Sequence, residues 1–127
     1  MHMKWLWIFI VILAASACRQ APPVEGVEYI DTAKAKEVLS EYPDIVLLDV
    51  RRPDEFEEGH IEGAANINVL EKDFEEKVSQ LDKKKTYLVY CRSGKRSTIA
   101  VQKMADLGFN HIYMLEGGYL DWQDQSN

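Results

Sequence analysis

Apolar positions along the chain repeat with two periods in turn, one suited to strands and one to helices. "VEYI" (27–30) has the character of a short strand. Asp31 stands where it can cap the helix "TAKAKEVLSEY", whose Ala35, Val38, Leu39 and Tyr42 form an apolar stripe. "DIVLLDV" (44–50) is a continuous apolar run, as expected of a strand covered on both faces. Pro53 suits the first turn of a short helix, "PDEFEE", which ends at Gly59. "AANINV" (64–69) is a weaker strand, and "EKDFEEKVSQL" (71–81) a helix with Phe74, Val78 and Leu81 on one side. "TYLVY" (86–90) is the clearest buried strand. "STIAVQKMADLG" is the helix after it, closed by Gly108. "HIYML" (111–115) is a further strand, and "EGGYLDWQ" turns into a last helix. There is no internal repeat. The alternation predicts an α/β domain with a mainly parallel sheet.

The start of the chain breaks this pattern. Trp5 to Ala17 carries no charge for 13 residues, behind Lys4. A helix that crosses a bilayer needs roughly 20. A basic start, a short apolar core and a small-residue end predict a secretory signal over 1–17. "Ala15-Ser16-Ala17-Cys18" resembles the lipobox of bacterial lipoproteins, with Ala15 where leucine is usual; the same residues fit ordinary A-x-A cleavage. Lipidation of Cys18 is preferred, because an unmodified thiol at an exported N-terminus is otherwise hard to explain. "RQAPPVEG" is a polar tether. The expected organisation is a signal peptide (1–17), a tether (18–26) and one folded domain (27–124). The product is exported to the bacterial cell envelope or periplasm, lipid-anchored or else soluble.

Charge narrows the partners. Without Lys4, 14 Lys and Arg face 21 Asp and Glu, a formal −7, which argues against nucleic acid. The two cysteines are Cys18 and Cys91. If Cys18 carries lipid, Cys91 has no evident disulfide partner and stands out as a lone thiol.

The surroundings of Cys91 give that thiol chemistry. It follows an apolar strand and precedes "RSGKRS" and a helix. A thiol is a nucleophile as thiolate, and its pKa falls near cations and at helix N-termini. Arg92, Lys95 and Arg96 supply the cations. Gly94 lets successive N–H groups curl toward the sulfur, and Ser93 and Ser97 offer hydroxyls. In open α/β sheets ligands bind beyond the C-terminal strand ends, where Asp49-Val50-Arg51 would join Cys91-Arg92 on one edge.

Three segments resemble the rhodanese (thiosulfate sulfurtransferase) family in its single-domain form: "LLDVRRPDEFEEGHIEGAANINV", "YLVYCRSGKRSTIAVQKMADLGF" and "MLEGGYLDW". The likeness spans roughly residues 25 to 124. It implies a small parallel sheet with helices on both faces, and no metal or organic cofactor. It places the catalytic cysteine on Cys91 and the persulfide loop on Cys91, Arg92, Ser93, Gly94, Lys95 and Arg96. The D-V-R turn falls on Asp49 to Arg51, and the G-H-I-x-G-A motif on Gly59 to Ala64. The implied reaction moves a sulfane sulfur from an anionic donor such as thiosulfate, through a Cys91 persulfide, to cyanide or a small or protein thiol.

Supporting roles are expected for three residues. Asp49 fixes the turn after its strand. Arg51 lines the pocket mouth or pairs with Asp54 or Glu55. His60 is a structural histidine that bonds a loop. Arg92 and Lys95 attract the donor, while Arg96 either binds it or braces the loop. Trp122 and Tyr119 pack the last helix, and Gly117-Gly118 turn close to the active loop. A monomer is expected, touching membrane through its lipid anchor alone. Two other readings stand beside this one. One is a non-catalytic module of the same family that carries sulfur or binds a partner. The other is a cysteine phosphatase or arsenate reductase, against which the spacing speaks. Tyrosine phosphatases use C-x5-R, whereas Arg96 lies five residues after Cys91, and Tyr90 replaces their usual histidine.

Overall fold

The short apolar runs become strands that lie side by side in one sheet. The computed structural model describes residues 23–126. It contains β1 (Val27–Ile30), α1 (Thr32–Glu41), β2 (Val46–Asp49), α2 (Pro53–Glu58), β3 (Ala65–Asn66), α3 (Phe74–Ser79), β4 (Tyr87–Tyr90), α4 (Lys95–Asp106), β5 (Ile112–Leu115) and α5 (Gly118–Asp124). The sheet order is β1-β5-β4-β2-β3, and every pairing is parallel. The expected signal peptide, Cys18 and most of the tether lie outside the described residues. Among those described, no helix is long and apolar enough to cross a membrane.

Both faces of the sheet are covered, which is why its central strand has no polar face. All four residues of β4 are buried. Val89 packs with Phe74, Val78, Ala100, Val101 and Met104 beneath α3 and α4. Leu88 and Tyr90 pack with Ala35, Val38 and Leu115 on the other side, with Tyr119 and Trp122 of α5 against them. Asp31 caps α1 by accepting a 2.8 Å hydrogen bond from the Lys34 amide.

Three details depart from the expected elements. Tyr42 is 47% exposed, so the α1 stripe stops at the half-buried Leu39. The chain turns there, Tyr42 being the C-cap whose N–H bonds back to Val38 O. α3 starts at Phe74 rather than 71, because the Asn68 side chain accepts from the Leu70 amide and folds 68–71 into a turn. α4 starts at Lys95, two residues ahead of Ser97, because Gly94 (φ +105°) curls the loop straight into the helix.

Register sets up the site. Asp49 lies opposite Tyr90, so β2 and β4 end together. The residues that follow, Val50-Arg51 and Cys91-Arg92, therefore leave the sheet at one edge.

Candidate active site

Cys91 leaves the end of β4 and is held under the first turn of α4. The Gly94 amide donates to Sγ at 3.1 Å. Ser97 Oγ lies 3.4 Å from Sγ and donates to Gly94 O at 3.0 Å. Burial pushes the Cys91 thiol up. The Ser97 hydroxyl and the amides of Ser97, Gly94 and Ser93 push it down and prevail, leaving it below the ordinary thiol value. The cysteine is 1% exposed, beneath the exposed Arg92 and Ser93.

Close backbone approaches shape this cradle. A side chain on Gly94 would collide with Glu116 O, at a φ that side chains rarely adopt. Gly118 (φ +61°) brings the start of α5 onto the loop, where an added Cβ would sit 2.5 Å from Arg92 O. The amides of Tyr119 and Leu120 then donate to Cys91 O at 2.8 Å and Arg92 O at 3.1 Å. The first-turn donors of α5, which have no partner within the helix, thus satisfy carbonyls of the loop.

The cations of the loop divide by role. Arg96 makes two hydrogen bonds to the Glu55 carboxylate, the second of 2.9 Å. The Arg96 bond holds Glu55 below the usual carboxylate range, and the same bond raises Arg96. Arg96 therefore braces the loop against α2. Arg92 and Lys95 are exposed. Arg92 lines two clefts, one of about 260 Å³ with Arg51, Gly59, Tyr119 and Leu120, and one of about 490 Å³ with Arg52, Glu55, Leu70 and Arg96. A cleft of about 480 Å³ at the start of β1 and β5 contains Tyr42 and His111 but no cysteine.

Asp49 and Arg51 form a buried pair beside the cradle. Asp49 Oδ1 accepts from the Arg51 amide at 2.9 Å, and its carboxylate takes the guanidinium at 2.7 to 3.0 Å. Arg51 also donates to Gly59 O at 2.6 Å and lies 4.5 Å from the Tyr119 ring centre. Burial lowers the Arg51 pKa, and the Asp49 contact more than offsets it. Of the two alternatives expected for it, Arg51 lines the smaller cleft, while its candidate partners Asp54 and Glu55 take Arg52 instead, at 3.1 and 3.6 Å. Burial decides the exchange: Arg51 turns inward to a carboxylate with no access to water, and Arg52 outward. His60 is exposed, its Nδ1 2.8 Å from Phe56 O and its ring stacked on Phe56 at 3.7 Å. It holds the end of α2 and is not among the groups around Sγ.

Two residues take roles other than those expected of them. Glu55, a candidate partner of Arg51, is the brace for Arg96. Tyr90 OH, buried at the sheet edge, accepts from the Ile61 amide at 3.0 Å and ties the G-H-I-x-G-A segment to β4.

Comparison with known proteins puts the geometry in context. Residues 31–125 match the family described as Rhodanese-like domain. A mitochondrial protein of Schizosaccharomyces pombe is 40% identical over 91 residues, spanning 63% of this chain and 64% of that one, just under two thirds of its length. The thiosulfate sulfurtransferase GlpE of Coxiella burnetii is 38% identical over 80 residues, 63% of this chain and 73% of its own. A rhodanese-related protein from Thermoplasma volcanium, known as a crystal structure, superposes with a TM-score of 0.65 at 34% identity, covering 77% of this chain and 92% of that one.

Proposed function

The chain belongs to the rhodanese-like family, and from that premise we propose that it is a sulfurtransferase that works through a persulfide on Cys91. The observation that carries the reading is the Gly94 amide directed at Sγ, within a set of hydrogen bonds that lowers the thiol pKa despite burial. In the proposed first step, thiolate Cys91 attacks the outer sulfur of thiosulfate. The S–S bond of the donor breaks, its electron pair leaves with sulfite, and Cys91 keeps the sulfane sulfur as a persulfide anion. The loop amides stabilise that terminal sulfur as an oxyanion hole stabilises oxygen. In the second step a nucleophile takes the sulfur and returns the electron pair to Cys91. Cyanide would leave as thiocyanate, and a thiol as its persulfide.

Arg92 and Lys95 attract the anionic donor in this reading, Arg96 braces the loop, and the Asp49–Arg51 pair fixes the neighbouring turn. No nucleic acid takes part, and the protein acts as a monomer. A covalent intermediate between two substrates demands ping-pong kinetics. Initial rates of thiocyanate release, with thiosulfate and cyanide both varied, should give parallel double-reciprocal lines and vanish in Cys91→Ser. Converging lines, or turnover retained by that variant, would defeat the mechanism. The rival reading as a non-catalytic module draws on one observation, the 1% exposure of Cys91. It requires that no such turnover occur.

We also propose that the chain is exported and anchored through lipid on Cys18, as the lipobox-like "ASAC" suggests. Expressed in a bacterial host, the wild type should fractionate with membranes and Cys18→Ser should not. Equal distribution of the two would contradict the anchor.

A further inference from the structure

The larger of the two clefts beside Arg92 contains more than a small anion needs. It is an open surface groove of about 490 Å³. One wall is Leu70, which is 60% exposed, the most exposed large hydrophobic of the described residues. It is presented firmly: the Asn68 side chain accepts from the Leu70 amide at 3.0 Å, and its neighbour Val69 is buried in the core. Nothing inorganic gains from such a side chain. Thiosulfate and cyanide have no carbon surface to lay against it, so Leu70 suits a substrate that has one.

Charge in the same cleft points the same way. The chain as a whole is acidic, with a formal charge of −6. The carboxylate that lines the cleft is already taken, Glu55 by Arg96 and Arg52. Among the described residues Arg92 makes no ion pair, and it lines this cleft together with Leu70. An uncompensated cation next to an exposed leucine, at the mouth of the thiol loop of an acidic protein, complements an acidic and apolar partner.

We infer that the sulfur acceptor is a peptide or protein thiol whose cysteine is flanked by a large apolar side chain, seated on Leu70, and by carboxylates, facing Arg92. The inference rests on the sulfurtransferase reading. In the transfer, the acceptor thiolate attacks the terminal sulfur of the Cys91 persulfide. The bond between that sulfur and Sγ breaks, its electron pair stays on Cys91 as thiolate, and the sulfane sulfur leaves as the acceptor's persulfide. No oxidant or reductant is consumed.

The test compares acceptors on the thiosulfate-loaded protein. One is a short peptide with a central cysteine between leucine and glutamates. The second has serine and lysines in their place, and the third is cyanide. The acidic, leucine-bearing peptide should show a KM about tenfold below that of its counterpart, equivalent to about 1.4 kcal/mol of differential binding. Leu70→Ser should remove most of that preference and leave cyanide turnover at the wild-type rate. Equal KM values for the two peptides, or a preference untouched by Leu70→Ser, would overturn the inference while leaving the sulfurtransferase reading intact. Sedimentation showing that Leu70→Ser turns a dimer into a monomer would also overturn it, assigning the leucine to a second copy of the chain. Absence of cyanide turnover in the wild type would defeat the sulfurtransferase reading itself, and this inference with it.

Discussion

At Cys91 two opposing forces act on one proton. Burial favours the neutral thiol, and hydrogen bonds from Ser97, Gly94 and Ser93 favour the thiolate, with the second set prevailing. The sign for activity follows directly. The thiolate is the deprotonated form, so a lowered pKa keeps Cys91 reactive at pH values where an ordinary thiol is protonated. Sulfur loading should fall only as pH drops below that lowered midpoint. Removing in Ser97→Ala the hydroxyl, whose proton must turn from Gly94 O to Sγ to stabilise the thiolate, should move the midpoint up, toward the ordinary thiol range. Loading near neutral pH should slow roughly threefold to tenfold, in keeping with the roughly 0.5–1.5 kcal/mol net worth of one hydrogen bond. Stopped reactions across a pH series would measure it, and an unmoved midpoint would assign Ser97 a packing role alone. The sequence disclosed Cys91, Gly94 and Ser97 because they are local, within seven consecutive residues. It did not disclose the partner of Arg51. Asp49, Asp54 and Glu55 are all near in sequence, and only burial of Asp49 and Arg51 selects between them.

At the scale of elements, the thiol loop is held by two helices besides its own. α5 donates its first-turn amides to Cys91 O and Arg92 O, and α2 supplies Glu55 to Arg96. Gly118 is the hinge point of the first contact, with left-handed backbone and no room for a Cβ. Gly118→Ala should therefore cost at least about 1–3 kcal/mol of stability from backbone strain, seen as a lower denaturation midpoint. Because the strain falls on the loop carbonyls, thiocyanate release by the folded variant should drop as well. A variant as stable and active as the wild type would show that α5 does not position the loop. Apolar patterning, with Pro53 and Gly59 marking α2, located the ten elements of the described residues to within a few residues, although α2 buries none of its own residues. The Arg96–Glu55 brace was hidden from it. Those residues are 41 apart in sequence and meet only because α2 and α4 start from adjoining strand ends.

For the molecule as a whole, the alternation of strands and helices made the parallel α/β class legible. It did not make legible the order β1-β5-β4-β2-β3, because covered strands carry similar apolar runs and little to name their neighbours. Nor could it foresee the near-complete burial of Cys91, which depends on α4 and α5 closing over one sheet edge. In the proposed mechanism, that order and that closure turn a basic loop into a sheltered site for one extra sulfur. Mass spectrometry of the intact protein after treatment with thiosulfate tests this most directly. The wild type should gain the mass of a single sulfur atom, located on Cys91 and removed by cyanide, with no gain in Cys91→Ser. A folded wild type that gains nothing from thiosulfate or any other sulfane donor, or a gain that survives in Cys91→Ser, would contradict it.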